Sequence, residues 1–165
     1  MELHAIGIDL GKTLFNLVGV DAGGNVVVRK RCSRTQLLKY TANLQVQRIG
    51  MEACSGSHFL GRALREQGHD ARLMPAQYVK PYVKTNKSDY IDAEAVAEAV
   101  QRPTMRFVSI KTEEQLDLQA VHRVRERWVM RRTAVINQIR SLLLERGVTL
   151  SKGGVILSRR FRRFW

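Results

Sequence analysis

Apolar side chains in the first half of the chain come in short runs separated by turn chemistry. AIGIDL (5–10), LFNLVGV (14–20) and NVVVRKR (25–31) are β-rich, with GKT and DAGG between them, which predicts a three-stranded antiparallel meander. In SRTQLLKYTANL (33–44) the apolar period lengthens to a helical one, with Ser33 placed as N-cap. RIGMEA (48–53) reads as a fourth strand. SGSHFLGRALREQG (55–68) reads as a helix with a serine cap in front and Gly68 behind. DARLM (70–74) is a fifth strand closed by Pro75, and PAQYVKPYVK (75–84) a short helix or turn broken near Pro81. The alanine-rich SDYIDAEAVAEAVQ (88–101) is good helix material, ended by Pro103, and TMRFVSI (104–110) is a connector.

The predicted order is β-β-β-α-β-α-β-α. Three antiparallel strands followed by two reached through helical crossovers give an α/β fold, a mixed five-stranded sheet with helices on both faces. The ribonuclease-H-like fold has this plan. From about Thr112 to Arg146 the pattern is one long helix without Gly or Pro. Leu118, Arg125, Arg132 and Ile139 share one heptad position, and Val121, Trp128, Val135 and Leu142 lie three further on. That is a coiled-coil-like seam with arginines at two core sites, which weakens a simple dimer and suits a partner presenting acid or phosphate. The expected domains are 1–110, an α/β catalytic domain; 111–147, a helical arm; and 148–165, a basic tail, poorly ordered or truncated.

On this plan the acids converge. Asp9 ends the first strand in GIDLGK, Glu52 ends the fourth in GMEACSG, and Asp89 and Asp92 open the last helix in KSDYIDA. Asp89 and Asp92, three apart, share a helix face with Cβ atoms about 5–6 Å apart. Singly, each acid has a plainer reading: Asp89 favoured by a helix dipole, Asp92 a surface acid, Asp9 closing a turn, Glu52 paired with Arg48 or a lysine. Jointly, four carboxylates in one place cannot all ionise without a cation. Oxygen ligands of this kind suit Mg²⁺ or Mn²⁺, and two such ions about 3.5–4 Å apart can clamp the attacking and leaving oxygens of a phosphodiester.

Charge sharpens the picture. Of 165 residues, 28 Lys+Arg stand against 15 Asp+Glu, a net +13 that points to an anionic polymer or a membrane surface. Residues 111–165, with 13 basic and 5 acidic side chains, carry +8 of it. No run of 18 apolar residues appears, and the start lacks a signal peptide's layout. With only Cys32 and Cys54 and no CxxC, a reduced, cytoplasmic protein is expected; ACSGSH offers a weak Cys54/His58 nucleophile–base alternative.

These motifs resemble the DEDD-type insertion-sequence transposases, the bridge-RNA-guided recombinases whose N-terminal domain is similar to the Holliday-junction resolvase RuvC. The matching stretches are GIDLGKTLFNLVGVD, IGMEACSGSHFLGRALREQGHDARLMPAQYVKPYV and NKSDYIDAEAVAEAV, with LLLERGVTLSKG after the arm; together they span roughly residues 5–153. The resemblance implies that Asp9, Glu52, Asp89 and Asp92 are the family's acidic tetrad, both catalytic and Mg²⁺-holding, cutting DNA in transposition under a guide RNA. It implies too that the long helix belongs to an arm that assembles a homo-oligomer. Lys12, Lys84 and Lys87 flank the site as expected phosphate contacts, with Arg125 and Arg132 on the arm. No membrane partner is expected.

Family members carry a further, C-terminal domain whose serine is thought to act as nucleophile. VILSRRFRRFW does not look like the usual continuation, and Ser158 has no framework around it. A truncated copy, not autonomously active, is therefore expected. Three other readings compete: a non-catalytic nucleic-acid-binding remnant, a stand-alone resolvase-like nuclease, and an ATP-handling enzyme reading DLGKT as a phosphate loop, for which the chain leaves no second lobe.

Overall fold

The computed structural model describes residues 3–84 and 88–150. The chain divides into two compact units at Thr112/Glu113. The first holds β1 (Ala5–Leu10), β2 (Leu14–Val20), β3 (Val26–Ser33), α1 (Arg34–Thr41), β4 (Arg48–Glu52), α2 (Ser57–Glu66), β5 (Ala71–Met74), the single-turn α3 (Ala76–Val79) running into a 3₁₀ turn (Lys80–Tyr82), and α4 (Asp89–Ala99). The sheet order is β3-β2-β1-β4-β5, with β1–β2 and β2–β3 antiparallel and β1–β4 and β4–β5 parallel. This is the ribonuclease-H-like plan.

Strand alternation sorts the core into two layers, because successive side chains point to opposite faces. Ile6, Ile8, Phe15, Leu17, Ile49, Met51 and Leu73 pack with Leu37 of α1 and Leu60 and Leu64 of α2. Ala5, Val18, Val20 and Met74 pack with Val79 of α3 and the alanine face of α4. At about 25 cal/mol per Å², each fully buried Ile, Leu or Met contributes roughly 1.5–3 kcal/mol, so both layers are needed.

The ends of the helices follow mostly from local chemistry. Ser33 caps α1 in a capping box: its hydroxyl accepts from the Gln36 amide while the Gln36 side chain accepts from the Ser33 amide at 2.9 Å. Ser88 likewise caps α4 through the Ile91 amide. The cap of α2 differs from expectation. Gly56, not a serine, occupies it with φ +88°, and the Ser57 hydroxyl donates instead to the Cys54 carbonyl at 2.8 Å. A left-handed cap is open to glycine at no Cβ cost, so Gly56 turns the chain sharply after β4.

Segment 104–111 follows the far edge of the sheet. Val108 bridges Leu73 of β5, and Ile110 packs against Gly61 of α2. The Lys111 amide donates to His58 Nδ1 at 3.2 Å, and its carbonyl accepts from Arg62 Nη1 at 2.8 Å.

The second unit is dominated by α5 (Glu113–Leu144), a 32-residue helix with no buried residue. Val121, Trp128 and Val135, on the predicted seam, are 65%, 65% and 55% exposed. No helix among the described residues is long and apolar enough to cross a membrane. The basic tail expected from residue 148 is described only as far as Leu150; the rest, Ser158 included, lies outside the described residues.

Candidate active site

Parallel pairing of β1 and β4 aligns Gly7 with Gly50 and Ile8 with Met51, so the next step along both strands sets Asp9 beside Glu52. Adjacent strands lie about 4.8 Å apart. Asp9 shares the face of Gly7, and Glu52 that of Gly50. Both of these glycines face α4. A Cβ on Gly7 would collide with the Ala93 carbonyl and the Ala97 amide, and one on Gly50 would stand 2.7 Å from Val100 Cβ. Ala93, Ala97 and Val100 are one helical stripe, so α4 lies flat on β1 and β4 because those positions carry no side chain. Arg48 secures its far end, donating through Nη1 to the Val100 carbonyl at 3.1 Å.

This seating brings the first turn of α4 over the strand ends. Asp9, Glu52 and Asp92 line one cavity of about 480 Å³, with Val96 one helical turn beyond Asp92. The remaining wall is Ala76, Gln77, Lys80 and Val83, the short helix and turn after β5. Val79, fully buried, pins that wall to the core. In open α/β sheets, ligands bind outside the carboxyl ends of the strands, and this cavity has that location.

The predicted site residues divide as follows. Asp9, Glu52 and Asp92 come together. Asp89 is exposed in the first turn of α4 and is not among the residues lining the cavity. Lys12 is exposed in the β1–β2 turn. The Lys84 ammonium donates to Glu94 Oε1 at 2.7 Å, and that bond holds the Glu94 carboxyl below its usual range and raises the lysine. Lys87 lies outside the described residues. Arg125 and Arg132 are exposed on α5, in the second unit. Arg48, a candidate partner for Glu52, pairs with Asp70 at 3.2 Å instead.

Lys80 was not legible as a site residue. In PAQYVKPYVK nothing marks it, and only the turn after α3 brings it to the cavity wall. Among the described residues its ammonium makes no hydrogen bond or ion pair.

The donor set fits a hard divalent cation, since three carboxylates from three elements face one solvent-reached cavity. Among the described residues no group of three or more His, Cys, Asp or Glu side chains is already arranged to hold a metal ion. Closing carboxylates of like charge around a common point requires the cation's own charge. Cys54 senses the same field: burial, then the charges of Glu52 and Asp9, push its thiol up. A thiol held protonated is a poor nucleophile. His58, moreover, accepts from Lys111 at Nδ1, so the Cys54/His58 alternative has no support.

Residues 6–146 match the sequence model of the DEDD transposases of IS110-type insertion sequences, described as "Transposase". The chain is 43% identical over 154 residues to the transposase for insertion sequence element IS1328 of Yersinia enterocolitica, covering 93% of this chain and 46% of that protein. It is 46% identical over 154 residues to a probable family 20 transposase of Pseudomonas aeruginosa, again 93% and 46%. With the transposase for insertion sequence element IS1111A of Coxiella burnetii it shares 44% over 152 residues, 92% of this chain and 42% of that protein. The chain therefore belongs to the DEDD transposase family. It spans less than half the length of these curated relatives. Among solved structures it is similar to T. thermophilus RuvC in complex with Holliday junction substrate, at 13% identity and a TM-score of 0.48 over 63% of this chain and 98% of that one.

Proposed function

We propose that the first unit cleaves a phosphodiester bond of DNA during transposition, using Mg²⁺ or Mn²⁺ held by Asp9, Glu52 and Asp92. The observation that carries this reading is the convergence of those three side chains on one cavity at the ends of β1 and β4. When bound, such ions polarise the phosphate and activate the attacking hydroxyl. Asp9 and Glu52, on adjacent strands of a packed sheet, supply fixed ligands. Asp92 supplies a third from the helix that the two glycines admit. Asp89 completes the family's tetrad from the outer side of the same turn, by orienting Asp92 or the bound water. Lys80, on the wall that follows β5, holds an oxygen of the scissile phosphate, and Lys12 and Lys87 are further contacts to the backbone.

Guide RNA and DNA are further partners in this reading, contacted by Arg125 and Arg132 on α5. The unpartnered apolar stripe of α5 assembles a homo-oligomer. Strand transfer belongs to the complete recombination reaction.

The test is cleavage of a labelled branched or target DNA by the purified chain, with and without guide RNA, across a Mg²⁺ series and in chelator. Metal-dependent nicking that disappears in Asp9→Asn while DNA binding persists supports the reading. DNA binding without nicking under every condition supports the non-catalytic alternative. Nicking without any guide supports the resolvase-like one.

A further inference from the structure

The register of the sheet continues the carboxylate row sideways. Asp9 of β1 is directly opposite Asn16 of β2, and Asn16 is directly opposite Arg31 of β3. Cross-strand partners share a face. That this is the α4 face is fixed by the neighbouring row, two residues back along β3, where Arg29 reaches Glu94 of α4 at 3.4 Å. The alternate residue, Lys30, instead stacks on Tyr40 at 4.0 Å on the other face. Glu52, Asp9, Asn16 and Arg31 thus form one transverse row, and Arg31 ends it on the edge strand about 14 Å from Glu52, three interstrand spacings away.

Arg31 differs from the cations around it. Arg29 is held by Glu94, Lys30 by Tyr40, and Arg34 lies over the rings of Phe15 and Phe59. Arg31 is exposed and, among the described residues, its guanidinium makes no hydrogen bond, ion pair or ring contact. Charge on an edge strand also discourages edge-to-edge pairing, but Arg29 and Lys30 already provide that. Asn16, 4% exposed, is neutral and adds no charge to compete for the carboxylates.

We propose that Arg31 anchors a backbone phosphate of the nucleic-acid strand lying over the carboxylate cavity, so that the strand runs across the ends of β4, β1 and β2 to the edge of β3. This rests on the reading of the cavity as the DNA-cleaving site. An exposed guanidinium at the end of the row meets a phosphate by charge-assisted hydrogen bonds and carries no base information, so its effect is on affinity and register.

The test measures binding of a fluorescent DNA oligonucleotide by the full chain in chelator, so that cleavage plays no part. Arg31→Ala lowers the slope of log affinity against log salt by about one, Arg31→Lys keeps it, and Arg29→Ala leaves it unchanged. A scan replacing single phosphates by neutral methylphosphonates finds one position that the wild type senses and Arg31→Ala does not. Circular dichroism confirms that each variant is folded. A wild-type slope and an unaltered scan in Arg31→Ala overturn the proposal while leaving the cavity reading intact. Absence of salt-dependent binding by the wild type removes both.

Discussion

Gly7 of β1 lies so close beneath α4 that a Cβ on it would stand 2.9 Å from Ala97 Cα and nearer still to the Ala93 carbonyl. Backbone cannot yield there as a flexible side chain can. Gly7→Ala is therefore expected to lift α4 from the sheet, at a cost of about 1–3 kcal/mol of stability. Because α4 carries Asp92, cleavage falls by more than the loss of folded protein accounts for. Denaturation midpoints set against single-turnover nicking separate the two effects.

Lys80 supplies a second prediction. Lys80 lines the cavity, and its ammonium has no protein partner among the described residues. Removing a charge-assisted contact to phosphate costs about 1.5–3 kcal/mol, so Lys80→Ala is expected to slow nicking roughly 10–100-fold with the melting temperature unchanged. A rate within about twofold of wild type would remove Lys80 from the site.

Much of this was readable in the sequence, for definite reasons. The strands alternate with turn residues, Ser33 announces its cap, and Asp9 and Glu52 interrupt otherwise apolar runs. What the linear pattern hides is set by backbone geometry. The α2 cap went to Gly56 because the chain needs a left-handed turn after β4, which a serine does not favour. Lys80 reaches the cavity only through the 3₁₀ turn, and Lys84, adjacent in appearance, is drawn off by Glu94. The row from Asp9 to Arg31 is a property of pairing register, which spacing along the chain does not express. The seam of α5 was visible as a periodicity along a stretch without Gly or Pro, long enough to read as an arm.

Asp70 provides a pH test of the sheet's structure. Burial raises its carboxyl, but the hydrogen bonds and charges of Arg72, at 2.6 Å, and Arg48, at 3.2 Å, outweigh that and hold it below the usual 3.8. A depressed carboxyl contributes stability that is present above its unfolded-state value and lost as pH falls through the folded one. Asp70→Asn is expected to be less stable than wild type at neutral pH, by less than about 1 kcal/mol because these groups are partly exposed. The two converge below about pH 4. Urea unfolding as a function of pH shows whether the gap closes.

The exposed stripe of α5 predicts concentration-dependent self-association. Leu118, Val121, Trp128 and Leu142 are 61%, 65%, 65% and 62% exposed, and contiguous exposed apolar surface marks an interaction site. Sedimentation velocity is expected to show an oligomer that Val121→Glu with Trp128→Glu dissociates, helicity of the first unit being retained. A wild-type chain that is monomeric at every concentration would assign the stripe elsewhere.

Occupancy of the carboxylate cavity by a divalent cation is the claim on which the functional reading turns, and Mn²⁺ binding measured by electron paramagnetic resonance tests it most directly. Saturable binding to the wild type is expected, weakened at least about 10–100-fold in Asp9→Asn, Glu52→Gln and Asp92→Asn and less in Asp89→Asn, which stands off the cavity. Binding that is equally strong in all four variants, or absent from a folded wild type, would contradict it.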